Sequence, residues 1–251
     1  MSKRDLIQKL LKGIESGDAA AAAVVNEEKY IQHNPQTHEG SEGLATLFAR
    51  LSKTDPKVTF VRVFEDGDFA FAHNEYDFSS LRVAFEVFRF EGNKAVEHWD
   101  NIQLMQGPNP SGRSMLDGET TIEDLEKTEA NRALVRTYVE QVLIDRNLSR
   151  LTDFVASDLI QHSPEIADGI GELEKMLLRT DGAAFSIWYD KLHLVLAEGN
   201  FVLCQCEGHL NGVHTSFYDL YRVKNSMIVE HWDTIETIVP RKEWKNTNGK
   251  F

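Results

Sequence analysis

Apolar positions recur every three to four residues at Leu6, Ile7, Leu10, Leu11 and Ile14, which predicts an amphipathic helix. Ser2 is placed to cap its start and Ser16-Gly17 to end it. An alanine-rich stretch, Ala19 to Val25, predicts a second helix. Tyr30 to Pro35 reads as extended, because a residue before proline is driven out of the helical region. Ser41 or Glu42 to Leu51 returns to the helical period. The period then changes to two. Val58 to Phe64, Phe69 to Asp77, Arg82 to Phe90 and Ala95 to Met105 predict four strands, with Asp66-Gly67-Asp68 and Gly92-Asn93 as turns.

The same order is then written a second time. Helical periods cover Ile122 to Asp145, Leu148 to Val155 and Ile170 to Leu178, with an extended Leu159 to Pro164 between the last two. Strands follow at Phe185 to Ala197, Phe201 to His209, Val213 to Val223 and Met227 to Ile238, joined by hairpin-forming Gly and Asn pairs. Two motifs tie the halves together: Glu97-His98-Trp99-Asp100 recurs as Glu230-His231-Trp232-Asp233, and Ile31-Gln32-His33-Asn34-Pro35 as Ile160-Gln161-His162-Ser163-Pro164. Residues 33 to 98 are 65 apart and 162 to 231 are 69 apart. A period of roughly 130 residues suits duplication of a whole small domain rather than a solenoid. The Gly/Pro/Ser-rich run Gln106 to Ser114 reads as an exposed linker. The domains are therefore expected at residues 1–111 and 112–251.

Helices first and an antiparallel meander afterwards make an α+β unit, with about three helices on one face of a curved, mostly antiparallel sheet. Such a sheet wrapped on helices forms a cone whose open end is a natural small-molecule pocket. The formal net charge of −13 repels phosphate backbones and anionic lipid, so neither nucleic acid nor membrane is the expected partner. No apolar run approaches the ~20 residues that span a bilayer, and the N-terminus is patterned as a helix rather than a signal peptide, so a cytoplasmic location is expected. Cys204 and Cys206 lie two apart on a strand and are expected as core-facing thiols. The open face of each sheet is expected to bury itself by packing the halves as a pseudo-dimer, with further oligomerisation open.

Candidate chemistry gathers at the repeated tetrapeptide. In a strand His98 and Asp100 leave one face while Glu97 and Trp99 leave the other. An apolar wall drawn from Phe69, Phe71, Phe85, Phe88 and Phe90 would desolvate Asp100 and raise its pKa, as a general base near neutral pH requires. His98 or His33 would donate to an enolate oxygen, with Glu86 or Glu75 fixing the tautomer. The bland alternative is that His-Trp-Asp only locks the sheet and that His33 and His162 only make helix-entry hydrogen bonds. Counting from the matched turns aligns His73 with Gln205, so the first half keeps one more titratable group and is expected to be the active one. A metal held by His33, His73 and His98 is weighed and set aside, because none shows short ligand spacing.

The order of helices, "IQHNP", glycine, helix, and strands ending in "VEHWD" resembles the SnoaL-like polyketide cyclase family of the nuclear-transport-factor-2-like superfamily, once per half. The resemblance implies cofactor-independent acid/base chemistry on a small hydrophobic carbonyl compound, of aldol-cyclase or isomerase type. It places the acid/base at Asp100 and, in the second half, at Asp233. The residues themselves add His98, His33 and His73 as polarising or orienting groups, with Asp233, His231, His162 and Gln205 as the ligand-binding counterparts in the second half. The alternative it carries is a non-catalytic binding module on the same cone. An epoxide hydrolase would need an Asp-Arg-Asp relay, and no Arg stands beside Asp100.

Overall fold

The computed structural model of the chain describes residues 1–179 and 185–251. They form two compact units, residues 1–105 with 238–251, and residues 106–237. The final tail, which follows the last strand of the second repeat, is thus grouped with the first unit. Among the described residues no helix is long and apolar enough to cross a membrane.

In the first unit, α1 (Lys3–Ser16) begins at a capping box in which Ser2 accepts from the Asp5 amide and Asp5 accepts from the Ser2 amide. It ends at Gly17, whose φ of 66° suits a glycine. The alanine run forms a short 3-10 helix, Ala19–Val24, and α2 spans Gly40–Leu51. The strands are β1 (Ile31–Gln32), β2 (Lys57–Asp66), β3 (Phe69–Asp77), β4 (Leu81–Glu91) and β5 (Lys94–Leu104), in the order β1-β5-β4-β3-β2. Only β1 runs parallel to its neighbour; the other pairs are antiparallel.

The second unit repeats this plan. Its helices are α3 (Thr128–Tyr138), continued by a π-helical turn at Val139–Ile144, then α4 (Leu151–Phe154) and α5 (Ile170–Leu177). Its strands are β6 (Val155–Gln161), β7 (Ile187–Glu198), β8 (Phe201–Leu210), β9 (Val213–Lys224) and β10 (Met227–Thr237), in the order β6-β10-β9-β8-β7, with β6 parallel to β10. Each unit is an α+β fold of helices on a mixed, mostly antiparallel five-stranded sheet.

Each core lies between sheet and helices. In the first unit Leu6, Ile7, Leu10 and Phe48 meet Ala70, Ala72, Ala84 and Phe88; in the second Val135, Tyr138 and Val142 meet Val202, Cys204, Cys206 and Tyr221. Small residues on the strands leave room for the helices to approach. Burial pushes both cysteine thiols well above their usual range, so they stay protonated and behave as small core residues.

The segment Gln106 to Ser114 is not a free linker. Asn109 is buried, and its amide donates to the carbonyls of Gln161 (2.7 Å) and Ile166 (2.8 Å). The tail carries a matching clasp, where Asn246 donates to the carbonyls of Asn34 (2.8 Å) and Thr37 (3.1 Å). Both serve carbonyls of the extended segment beside β1 or β6 that ordinary sheet pairing leaves open. Asn109→Ala and Asn246→Ala are each expected to cost about 2 kcal/mol, because each removes two hydrogen bonds to backbone carbonyls. Denaturant titration at unchanged slope measures it; a variant that keeps the parental midpoint would show that its clasp holds nothing.

Candidate functional site

A β-bulge sits in the same place in both units. Arg89 pairs with Glu97 but Phe90 with Ala95, leaving Val96 as the extra residue; Arg222 pairs with Glu230 but Val223 with Ile228, leaving Val229. Each bulge immediately precedes Glu-His-Trp-Asp and resets which side chains face the helices. Below it, Glu86 stands opposite Asp100 and Phe88 opposite His98; Asp219 stands opposite Asp233 and Tyr221 opposite His231. Two carboxylates and an imidazole are thus brought together on the helix side of each sheet. Their potential ligand atoms lie within 4.8 Å of one another.

The bulge also moves His73 away from this group. Without it, Asp100 would pair with Phe85 and, through Phe85, with His73. With it, Phe85 pairs with Asn101 and His73 lies on the opposite face, stacked on Phe85 (4.4 Å) and bonded to Arg62 (3.0 Å). Phe71 and Phe85 therefore do not wall Asp100, whereas Phe88 lies opposite His98 and stacks on it at 4.2 Å. Gln205 is displaced in the same way and donates to the Tyr218 hydroxyl at 2.6 Å.

His33 is likewise on the far side. Its ring lies flat on Trp99 (4.7 Å, 7°), Nε2 meets Glu97 Oε1 at 3.0 Å, and Arg89 holds the other oxygen of Glu97. His162 repeats this clamp on Trp232 (4.8 Å, 4°), with Glu230 at 2.9 Å and Arg222 beyond it. Burial lowers the pKa of His33 despite Glu97. The Glu and Trp of the tetrapeptide thus serve a structural clamp, while its His and Asp face the helices. Of the first-half candidates only His98 and Asp100 come together, joined by Glu86; in the second, His231 and Asp233 meet Asp219.

Within each cluster a glutamine sets the histidine. Gln32 Oε1 accepts from the Asn34 amide (2.8 Å) and from His98 Nδ1 (2.8 Å), so Nε2 faces Glu86 at 2.7 Å with one proton shared between them. Burial pushes Glu86 up, with His98 opposing, and Tyr76 donates to its other oxygen at 2.7 Å. In the second unit His231 Nδ1 meets Gln161 at 2.9 Å and Nε2 meets Asp219 at 3.0 Å; Tyr189 donates to the same Asp219 oxygen at 3.1 Å. A metal at either cluster would have to break the histidine–carboxylate bond. The three-histidine metal set is not assembled, since His33 and His73 face away from His98.

The units differ at the second carboxylate. Asp100 has both oxygens engaged, Oδ2 by Asn34 (2.6 Å) and Oδ1 by the buried ammonium of Lys250 (3.3 Å). In the second unit Asp233 Oδ1, Asp219 Oδ2 and Gln161 Nε2 are buried and have no hydrogen-bond partner among the described residues. Asp233 and Gln161 line a small cavity, with Leu159, Leu173, Met176, Tyr138, Tyr189 and Tyr221 among its walls. It is narrow: the space at its centre admits little more than a water, so a larger ligand must spread the side chains. Burial, with Asp219 adding to it and His231 opposing, pushes Asp233 up to about 6.

Sequence reasoning missed the residues behind this difference. Asn109-Pro110-Ser111-Gly112-Arg113 is echoed by Asn246-Thr247-Asn248-Gly249-Lys250, with φ of 82° and 91° at the two glycines. This third repeat was available in the sequence but lies past the last strand of each half, where no core pattern draws attention. Lys250 reaches Asp100, whereas Arg113 turns to Asp168 (2.8 Å).

A family model, the SnoaL-like domain, matches residues 7–98. The first unit is a SnoaL-like domain. The second unit lies outside the matched residues and carries the same strand order and the same motifs. Solved structures similar to the chain include TsrD from Streptomyces laurentii (21% identity, 39% of this chain and 86% of that one, TM-score 0.35). Another is an NTF2-like protein from Cytophaga hutchinsonii (18%, 41% and 91%, 0.35), and a third an LEH-like epoxide hydrolase from M. tuberculosis (16%, 44% and 85%, 0.36). Comparison with curated proteins finds no match.

The raised pKa has a consequence for stability. Folding lifts Asp233 from 3.8 to about 6, so the folded chain holds the extra proton between those values. That stabilisation is complete below pH 3.8 and is lost as pH rises through 6, a cost of about 3 kcal/mol for a shift of about two units. Asp233→Asn carries no such cost. It is expected to unfold later than the parent near pH 8, by on the order of 2 kcal/mol, with the gap closing below about pH 4. Equal stability of the two at both pH values would remove the desolvated carboxylate.

Proposed function

We propose that the second SnoaL-like domain is a cofactor-independent acid/base enzyme of aldol-cyclase or isomerase type, acting on a small hydrophobic carbonyl compound. The observation that carries this reading is the buried, unpartnered Asp233 oxygen at an apolar cavity, on a carboxyl held at about 6. A base of that strength is ionised at neutral pH yet still basic enough to take a proton from carbon beside a carbonyl. Gln161 Nε2, buried in the same cavity wall without an acceptor, is the donor for the enolate oxygen that forms. His231 and Asp219 act as positioning residues: the histidine holds the glutamine carbonyl, which leaves the amide N–H groups for the ligand. The proton carried by Asp233 is then returned to carbon, in an isomerisation, or to the new alkoxide after ring closure.

This reading moves the acid/base role expected of Asp100 to Asp233. In the first domain Glu86, His98 and Asp100 are each paired within the chain, which favours a non-catalytic pocket there. The second reading, a binding module in both domains, is separated from the first by chemistry rather than by affinity.

Incubation of the full chain in deuterium oxide with a panel of small apolar ketones, followed by mass spectrometry, tests it. Exchange is expected to rise with pH to a plateau above about 6. It should fall on the order of 10²-fold to 10⁴-fold in Asp233→Asn and stay near the parental rate in Asp100→Asn. Loss in Asp100→Asn alone would return the activity to the first domain. Exchange unaffected by either substitution, with ligand retained through native purification, would leave the binding module.

A further inference from the structure

We propose that the first domain's pocket is a seat for a primary ammonium group, that Lys250 is its tethered occupant, and that a free alkylammonium ion takes the same seat once the lysine side chain is removed. The starting point is the pairing of charged groups. In each domain the histidine is hydrogen-bonded to one carboxylate, Glu86 or Asp219, which leaves the other, Asp100 or Asp233, without a histidine partner. Lys250 balances Asp100. Asp233 Oδ1 has no such ammonium partner among the described residues, and burial, against the opposing pull of His231 and Ser163, raises its proton affinity.

The seat is built, not incidental. The lysine side chain is 2% exposed, and an ammonium so far from water persists only when it is paired. The tail that delivers it is fixed residue by residue: Asn246 on the carbonyls of Asn34 and Thr37, Asn248 on that of Gln32 (3.0 Å), and the Gly249 carbonyl against His33 Nδ1 (3.1 Å). Asp100 is meanwhile steered by Asn34 Nδ2, so that its second oxygen is left for the cation.

The tandem copy is the internal control. Its clasp has the same asparagine and the same left-handed glycine, but its cation is spent on Asp168 at 29% side-chain exposure. The two clusters therefore differ in one occupant, the Lys250 ammonium beside Asp100. The chemistry of the occupant sets the ligand class. A compact three-donor head on an unbranched methylene stem fits, whereas a planar guanidinium stands outside the equivalent pocket.

Thermal unfolding of the full chain tests the seat. Lys250→Ala is expected to lose roughly 5 °C or more, and n-propylammonium chloride to return at least half of that loss in a saturable way. Sodium chloride and tetramethylammonium chloride at equal ionic strength should return none. The parent and the Lys250→Ala, Asp100→Asn double variant should not respond. No recovery, or equal recovery in the double variant, overturns the proposal. Should Lys250→Ala fail to fold, amine labelling of the parent followed by mass spectrometry decides. Lys250 is expected to react at least about tenfold more slowly than Lys245, and Asp100→Asn to abolish that protection; labelling of Lys250 as fast as Lys245 overturns it equally.

Discussion

Two carboxylates face each other across neighbouring strands in each domain, Glu86 with Asp100 and Asp219 with Asp233, on the side of the sheet that the helices shield from water. Side chains opposed in this way are about 5 Å apart, and two negative charges at that distance without solvent repel strongly. Most of the other polar features of the site answer this constraint. The histidine two residues before the second carboxylate is hydrogen-bonded to the first. A glutamine on the parallel edge strand holds that histidine by Nδ1, and a tyrosine hydroxyl caps the first carboxylate from β3 or β7. The second carboxylate is met differently in the two domains, by a lysine at Asp100 and, at Asp233, by burial that raises its pKa to about 6.

The frame of this arrangement was legible in the sequence because it follows from periodicity. Ser2 and Gly17 bracket α1 as the capping rules require, β3 spans Phe69–Asp77 as its alternation indicates, and the tetrapeptide repeats where each last strand lies. The shared face of His98 and Asp100 followed from strand geometry alone, and Glu86 was within the partners that geometry suggested. The placement of His73 and Gln205 was not legible, for a specific reason. Counting pairs back from Gly92-Asn93 puts Phe85 and His73 on the face of Asp100, and one extra residue at Val96 shifts the count by one and inverts it. A bulge leaves no composition mark in a strand rich in β-branched and aromatic residues, so parity carried across a hairpin fails where the site is built. His33 escaped for a different reason: its ring is held by Trp99 and Glu97, groups that leave the face opposite His98.

The tails were the other gap. Residues 106–114 have the glycine, proline and serine content of a linker, and that content is real, but it encodes a tight clasp rather than freedom. Asn109 accepts from the amides of Ser111 and Arg113 while donating to two carbonyls, and Gly112 supplies the left-handed turn that lets it do both. Short polar residues are common to flexible segments and to segments whose side chains replace missing backbone partners. Only a partner in space separates the two, and for these residues the partner lies some fifty positions further along the chain.

Duplication makes the difference between the sites inexpensive to evolve. A charge placed inside a sheet strand changes packing, register and twist together. A charge at the end of a clasp changes only what it touches, because the asparagine and glycine before it carry the structure. Lys250 and Arg113 occupy matching clasp positions, yet the first reaches a buried carboxylate and the second a half-exposed one. Burial raises the Asp233 carboxyl to about 6, so it gives up its proton as the pH becomes neutral, the range that the proposed general-base role requires.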